Sequence, residues 1–135
     1  MLSAEKRSEL IAAALQARGY AYAPYSKYAV GAALLAESGE IYLGANIENS
    51  VYSETICAER SAVFGAASKG ERKFTAIVVA TENGGSPCGA CRQVMSEFGL
   101  DAMVLMVNSD GEVIHEATVR ELLPISFGPD DLAAS

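Results

Sequence analysis

The 135-residue sequence has no tryptophan, only one histidine and only three cysteines. An odd, small number of cysteines argues against a framework of disulfides and suits a reducing compartment, so we expect a cytoplasmic protein. Long apolar runs are also missing. The longest uncharged one, from Tyr28 to Ala36, is far shorter than the roughly 20 residues of a membrane helix, and the run from Ile11 to Leu15 is too short for a signal-peptide core. We expect no membrane association.

Basic residues are also few. Lysine and arginine total 10 against 17 acidic residues, which gives a net charge of −7. The densest basic group, Lys69, Arg72 and Lys73, is interrupted by Glu71. Because binding to a phosphate backbone requires a basic stripe, this composition argues against a nucleic-acid partner and favours a small-molecule substrate.

The length predicts a single domain covering residues 1–135. Two continuous apolar runs, Phe74 to Ala80 and Met103 to Val107, are typical of strands that are covered on both faces. These strands alternate with predicted helices, which indicates an α/β layer, and a predicted hairpin lies at one edge. The helices are expected after Ser3 to Arg18, from about Ile56 to Gly70, and from about Cys88 or Gly89 to Phe98. The other strands are expected at 29–36, 41–47 and 112–116. A capping box at 118–121 predicts a short helix that Pro124 ends, and residues 129–131 resemble another helix start.

All three cysteines lie in two short motifs, Cys57-Ala58-Glu59 and Pro87-Cys88-Gly89-Ala90-Cys91. Both motifs open predicted helices, whose free amide hydrogens and partial positive charge stabilise thiolates. Thiolates favour zinc, and three protein ligands leave the fourth tetrahedral position open, as in catalytic sites. We therefore predict a zinc site formed by Cys57, Cys88 and Cys91.

Two charged residues follow Cys57 closely. Glu59 is expected to lie beside the metal without binding it, where a carboxylate can move protons for a metal-activated water. Three thiolates and one zinc ion together carry a net negative charge, and Arg60 is the first candidate to offset it by hydrogen bonding to the sulfurs. Arg92 is a weaker candidate. The pattern predicts a hydrolytic zinc enzyme.

Two other interpretations of the cysteines stay open. A C-x-x-C pair alone is typical of redox dithiols, but a thioredoxin-like protein has no use for Cys57 or Glu59. The single histidine, His115, could complete a closed structural site in a non-catalytic zinc module. We expect instead that His115 is exposed, because Val113 to Glu116 follows a turn like a surface strand. An open fourth position beside Glu59 would distinguish the catalytic site.

The two motifs resemble the H-x-E…P-C-x-x-C signature of zinc nucleobase deaminases, with cysteine in place of the histidine. This form is similar to the short, homotetrameric cytidine deaminases. The resemblance covers nearly the whole chain and includes 23–28, 30–34, 46–49, 88–94, and 121–124 with a following Phe127. It implies a three-layer α/β/α fold with a mixed central sheet of about five strands and helices on both faces.

The resemblance implies hydrolytic deamination of cytidine and deoxycytidine to uridine and deoxyuridine, with release of ammonia, in pyrimidine salvage. Such an enzyme is a hydrolase acting on C–N bonds of cyclic amidines. It would hold one zinc ion per subunit and form a homotetramer with active sites near the subunit interfaces. The alternatives are another aminopyrimidine nucleoside or a nucleoside antibiotic as substrate. A deaminase of RNA or DNA is disfavoured by the acidic charge.

The resemblance also implies residue roles at the pyrimidine ring. Glu59 would take a proton from the zinc-activated water and deliver protons to N3 and to the departing amine. The amide of Ala58 would hold the pyrimidine O2, and the carbonyl of Ser86 would accept from the amino group. Tyr28 stands where the family usually has a phenylalanine stacked on the ring, and a tyrosine keeps that ring face.

Further roles concern the sugar and the neighbouring subunit. Asn46 and Glu48 are implied as binders of the ribose 3′-hydroxyl, which suits a free nucleoside because a carboxylate would repel a phosphate. Phe127 is implied as an aromatic wall supplied by a neighbouring subunit, with anchoring of its own C-terminal tail as the alternative. Ser50 and Tyr52 are similar to positions that reach across a subunit interface.

Overall fold

The computed structural model describes residues 2–133. Within them the helices are α1 (Ala4–Arg18), α2 (Ala58–Ser68), α3 (Gly89–Gly99), α4 (Val119–Leu122) and α5 (Pro129–Ala133), and the strands are β1 (Gly31–Ala36), β2 (Ile41–Ala45), β3 (Phe74–Ala80), β4 (Met103–Val107) and β5 (Val113–Thr118). The five strands form one sheet in the order β2-β1-β3-β4-β5. Only β3 and β4 pair in parallel; the other neighbours are antiparallel. No helix in this part of the chain is long and apolar enough to cross a bilayer.

Helices cover both faces of the sheet. On one face, Leu10 and Ala14 of α1 pack against Val78 of β3 and Leu105 of β4. On the other face, α2 and α3 pack against the opposite sides of the same strands, with Met95 fully buried there. This arrangement confirms the three-layer α/β/α fold with a mixed five-stranded sheet.

The central strands and the helix caps also agree with the sequence. Every residue of β3 except Thr75 is buried, as expected for a strand with helices on both faces. The hydroxyl of Ser3 accepts a hydrogen bond from the Lys6 amide at 3.1 Å and caps α1. Thr118 and Glu121 form the predicted capping box at the start of α4.

The hairpin strands are shorter than predicted. We expected the first over 29–36, but β1 begins at Gly31, because the side-chain oxygen of Asn46 accepts from the amide of Val30. We expected the second over 41–47, but β2 ends at Ala45. Ile47 instead forms isolated bridges with Tyr22 and Ile56.

Two other boundaries differ for similar reasons. The helix expected from about Ile56 begins at Ala58, because Ile56 exchanges backbone hydrogen bonds with Ile47. The last strand was expected over 112–116, but β5 covers Val113–Thr118. The carbonyl of Glu112 instead accepts from the amide of Asn108, which closes the turn before β5.

Glycine at position 44 brings α2 close to the sheet. A Cβ atom on Gly44 would overlap the carbonyl oxygen of Ala58 and lie 2.5 Å from the amide nitrogen of Ala62. Both contacts are with backbone atoms, which cannot move aside without moving the helix. The first turn of α2, which carries Glu59, is therefore held against β2 by the absence of a side chain at residue 44.

We predict that Gly44→Ala lowers the free energy of unfolding by about 1–3 kcal/mol, because overpacking displaces the start of α2. Urea unfolding measures the change. Gly65→Ala is the matched control, since a Cβ atom at Gly65 meets nothing within 4 Å. Equal stability of the two variants would show that α2 does not depend on close approach at Gly44.

Candidate active site

The three cysteines meet where α2 and α3 begin. Cys57 is the N-terminal capping residue of α2, Cys88 is that of α3, and Cys91 lies in the first turn of α3. Their sulfur atoms all lie within 4.8 Å of one another, and the sulfurs of Cys88 and Cys91 are 3.4 Å apart. A tetrahedral zinc ion with Zn–S bonds of about 2.3 Å separates its sulfur ligands by about 3.8 Å. The donor set and its spacing therefore fit zinc.

His115 does not belong to this group. It is exposed on β5, as expected. The three cysteines are the one potential metal-binding group of three or more His, Cys, Asp or Glu side chains found within residues 2–133. The described part of the chain thus offers three ligands and no histidine to close the site.

Hydrogen bonds among the thiols, and from the guanidinium of Arg60, shift the pKa values of Cys57 and Cys91. A hydrogen bond from Cys91 lowers the pKa of Cys57 to about 5, Arg60 acts in the same direction, and burial opposes both. The same bond and burial raise the pKa of Cys91. Nη2 of Arg60 lies 3.2 Å from the sulfur of Cys57. The lowered pKa of Cys57 favours its thiolate, and a metal cation bound by the three sulfurs would displace the remaining thiol protons.

The structure separates the two arginine candidates. Arg60 contacts Cys57 as predicted, and its buried Nε atom has no hydrogen-bond partner among the described residues. Arg92 does not contact the thiols. Its guanidinium donates to the carbonyls of Pro87 and Leu122 and to the hydroxyl of Ser86, at 2.9, 2.8 and 2.6 Å. The proposal that Arg92 neutralises a thiolate is wrong, because Nε, Nη1 and Nη2 of its guanidinium all donate to these other acceptors.

Glu59 lies inside the protein at the same place. Only 4% of its surface is exposed. Burial raises its pKa to about 7, and the nearby charge of Cys57 acts in the same direction. A carboxyl group with a pKa near the working pH can both accept and release a proton. The geometry therefore supports a proton-transfer role for Glu59.

A cavity of about 300 Å³ opens beside the cysteines and Glu59. That volume is at the lower end of the range for small-molecule sites, roughly 300–1,000 Å³. Cys57, Cys88 and Glu59 are in its wall. Five more residues singled out from the sequence also line it: Tyr28, Asn46, Glu48, Ala58 and Ser86.

Asn46 and Glu48 hold the loop before β1 as well as facing the cavity. The buried Asn46 accepts from the amide of Val30 at 2.9 Å and donates to the carbonyl of Tyr28 at 2.8 Å. Glu48 accepts from the amides of Tyr25 and Ser26 at 2.9 and 3.1 Å, and from the hydroxyl of Ser26. The hydroxyl bond is the main cause that lowers the pKa of Glu48. Glu48 is therefore an anion at neutral pH.

Ala58 and Ser86 offer backbone groups to the cavity. Ala58 is the first residue of α2, so its amide hydrogen has no partner within the helix. Ser86 precedes Pro87 and the helix start at Cys88, and Arg92 holds its hydroxyl. Both residues are thus fixed by helix starts that also carry the cysteines.

The three residues assigned to a subunit interface lie outside this cavity. Phe127 is 59% exposed, and its carbonyl accepts from Gln93 at 3.0 Å. Tyr52 is 74% exposed and packs edge to face on Tyr25, with ring centroids 5.6 Å apart. Ser50 is exposed. A single chain therefore does not bring them to the thiols.

Sequence reasoning missed three residues around the cavity. Thr81 and Gly85 line it, and Ser26 holds Glu48. Thr81 and Gly85 belong to the segment between β3 and α3, which carries no catalytic or metal-binding motif of its own before Pro87. The sequence offers one indication of their role, which is that this loop leads directly into Pro87 and Cys88.

The chain is similar to known proteins over most of its length. Residues 4–107 match the family model described as the cytidine and deoxycytidylate deaminase zinc-binding region. The chain is 55% identical over 128 residues to the cytidine deaminase of Sporosarcina psychrophila, covering 93% of both chains. It is 50% identical over 129 residues to that of Halalkalibacterium halodurans, covering 93% of this chain and 97% of the relative.

Solved structures show the same likeness. The crystal structure of cytidine deaminase from Burkholderia pseudomallei superposes with a TM-score of 0.85 at 45% identity, covering 89% of this chain and 98% of that one. The match to a zinc-binding family model, together with the grouping of Cys57, Cys88 and Cys91, identifies zinc as the cofactor.

We predict that Arg60→Ala lowers zinc affinity or activity by about 10- to 100-fold, as is usual for residues that hydrogen-bond to metal ligands. Metal analysis after competition with a chelator measures the affinity. Arg72→Ala is the matched control, since Arg72 is exposed and its guanidinium donates to the carbonyls of Ala67 and Glu71. Full zinc occupancy and full activity of Arg60→Ala would contradict the charge-offset role.

Proposed function

Since the chain belongs to the cytidine and deoxycytidylate deaminase family, we propose that it is a zinc-dependent cytidine deaminase. It hydrolyses the C4–N bond of cytidine, giving uridine and ammonia. The observation that carries this proposal is the grouping of three cysteine sulfurs at a cavity of about 300 Å³ whose wall includes Cys57, Cys88 and the buried Glu59.

Each reacting group has a counterpart in the chain. Cys57, Cys88 and Cys91 would hold zinc, which when bound supplies a Lewis acid that lowers the pKa of water at its open position. Glu59 takes a proton from the attacking water and delivers protons to N3 of the pyrimidine and to the departing 4-amino group. Its burial at the cavity wall supports this role, because buried carboxyls exchange protons near neutral pH.

Backbone groups and one ring orient the base. The amide of Ala58 donates to the pyrimidine O2, and the carbonyl of Ser86 accepts from the 4-amino group. The ring of Tyr28 stacks on the pyrimidine. Their common position on the wall of the cavity supports these roles.

Asn46 and Glu48 bind the ribose 3′-hydroxyl. Their amide and carboxylate keep hydrogen-bonding capacity beyond the loop contacts already described. Neither contact requires a 2′-hydroxyl, so we propose deoxycytidine as a second substrate. The negative charge of Glu48 disfavours a phosphate at the sugar, which supports free nucleosides over nucleotides or polymers.

The active unit is proposed to be a homotetramer with its active sites near subunit interfaces. Large apolar side chains that the described chain leaves exposed support this assembly, among them Tyr52 and Phe127. Ser50, Tyr52 and Phe127 would then contact a neighbouring subunit. The proposed nucleoside substrate supports a role in pyrimidine salvage. The three free cysteines support a location in the cytoplasm, where thiols stay reduced.

Deamination is tested by following ultraviolet absorbance of the zinc-loaded protein with cytidine. We predict that Glu59→Ala and Glu59→Gln lose at least about 10²-fold in rate, the lower end for general acid–base catalysis, while retaining zinc. Conversion to uridine at the parent rate by either variant would contradict the role of Glu59. No conversion by the zinc-loaded parent would contradict cytidine deamination, and other aminopyrimidine nucleosides would be tested next.

A mixed-subunit experiment tests the position of Phe127. We predict that Phe127→Ala raises the KM for cytidine about 10-fold, because base–aromatic stacking contributes about 1–3 kcal/mol. Refolding Phe127→Ala together with Glu59→Ala should restore a low KM, since Glu59→Ala subunits supply the missing ring to sites with an intact Glu59. Absence of recovery would show that Phe127 serves only its own subunit.

A further inference from the structure

The hydroxyl group of Tyr28 has no part in the stacking role, yet it is firmly bonded. It donates to the side-chain oxygen of Asn83 at 2.6 Å. Tyr28 belongs to the loop before β1, and Asn83 belongs to the loop after β3. This hydrogen bond therefore joins two segments that approach the cavity from different parts of the chain.

Asn83 is itself tied to the end of β3. The hydroxyl of Thr81 lies 3.4 Å from the same oxygen of Asn83. It also accepts from the amides of Gly84 and Gly85, at 2.8 and 2.9 Å. Thr81 is only 3% exposed, so the loop is folded around a buried side chain that directly follows β3.

The Tyr28 hydroxyl lies beside Gly85, where any side chain at position 85 would crowd it. A Cβ atom on Gly85 would lie 2.7 Å from that hydroxyl oxygen, well inside van der Waals contact. The backbone of Gly85 lies outside the left-handed region, where Gly39, Gly70, Gly84 and Gly111 are found. The constraint at position 85 is thus space beside Tyr28 and not backbone conformation.

We propose that Tyr28, Thr81, Asn83 and Gly85, here called the Tyr28 network, position the stacking ring against the Gly85–Ser86 wall of the cavity. Thr81 and Asn83 are positioning residues, since they act through Tyr28 and Gly85. The inference rests on the proposed deamination only for its kinetic test. The contacts themselves are properties of the fold.

The expected effect is on substrate binding. Tyr28, Gly85 and Ser86 line the same cavity as Glu59, but no bond of the network reaches Glu59 or a cysteine. A ring that is displaced loses contact with the base in the ground state and in the transition state alike. Such a loss raises KM and leaves kcat nearly unchanged.

The test is a pair of substitutions made alone and together. Gly85→Ala in the parent should raise the KM for cytidine about 10-fold, because the new methyl group pushes the Tyr28 ring out of place. Tyr28→Phe removes one hydrogen bond between partly exposed groups and should cost at most about 3- to 10-fold. In Tyr28→Phe/Gly85→Ala the oxygen that the methyl group would meet is gone, so KM should return to within about 3-fold of Tyr28→Phe.

Gly65→Ala is the matched glycine control and should leave KM unchanged. Zinc content of every variant is measured to exclude an effect on the metal site. If Gly85→Ala raised KM by the same factor in the parent and in the Tyr28→Phe variant, or in neither of them, the proposal would be overturned.

Asn83→Ala gives an independent second cycle. It should raise KM about 3- to 10-fold in the parent, where it leaves the Tyr28 hydroxyl without its partner. It should change KM little in Tyr28→Phe, which has no hydroxyl to hold. The same increase in KM in the parent and in the Tyr28→Phe variant would overturn the role of Asn83.

Thermal unfolding of the same variants separates this inference from the proposed function. Gly85→Ala should lower the unfolding temperature when Tyr28 is present, and much less in the Tyr28→Phe variant. If the parent does not convert cytidine but this difference is found, the deamination proposal fails and the network stands. If the parent converts cytidine but neither KM nor unfolding shows the difference, the network fails alone.

Discussion

Three cysteine sulfurs that bind a metal as thiolates concentrate negative charge at one point, and the rest of the site depends on how that charge is stabilised. Cys57 and Cys88 are the capping residues of two helix starts, where the partial positive charge of the helix favours a thiolate. Arg60 adds a full positive charge at 3.2 Å from Cys57. Three thiolates holding one zinc ion would carry one net negative charge, which Arg60 can offset. Because the thiolates come from helix starts, the position of the metal follows from the packing of α2 and α3 on the sheet.

That packing requires small side chains in the edge hairpin. Gly44 allows the first turn of α2 to touch β2, and the buried Ala32 and Ala33 of β1 face the two helical layers. The alanine content of β1 is unusual for a strand by propensity alone. It is explained by helices that approach closely from both sides. The same approach buries Glu59 and raises its pKa, so the packing of the fold and the proton chemistry of the site have one cause.

The fold class and the metal ligands could be predicted from the sequence because their signals are local. Continuous apolar runs predicted β3 and β4, and the spacing around Cys57 and Cys88 predicted the grouped sulfurs, which the structure confirms. The ends of β1 and β2 could not be predicted, since they depend on Asn46, whose side chain replaces a strand partner. The bond between Tyr28 and Asn83 spans 55 positions, and such a contact has no local pattern. Roles of Phe127, Ser50 and Tyr52 concern neighbouring subunits and stay predictions.

Three cysteines that hold zinc and leave one position open for chemistry give the metal a distinct ligand set. X-ray absorption at the zinc edge of the purified, zinc-loaded protein measures that ligand set. The account predicts three sulfur ligands at about 2.3 Å and one oxygen or nitrogen ligand at about 2.0 Å, with the same spectrum for His115→Ala. Four sulfur ligands, or a light ligand that is lost in His115→Ala, would show a closed structural site and contradict the account.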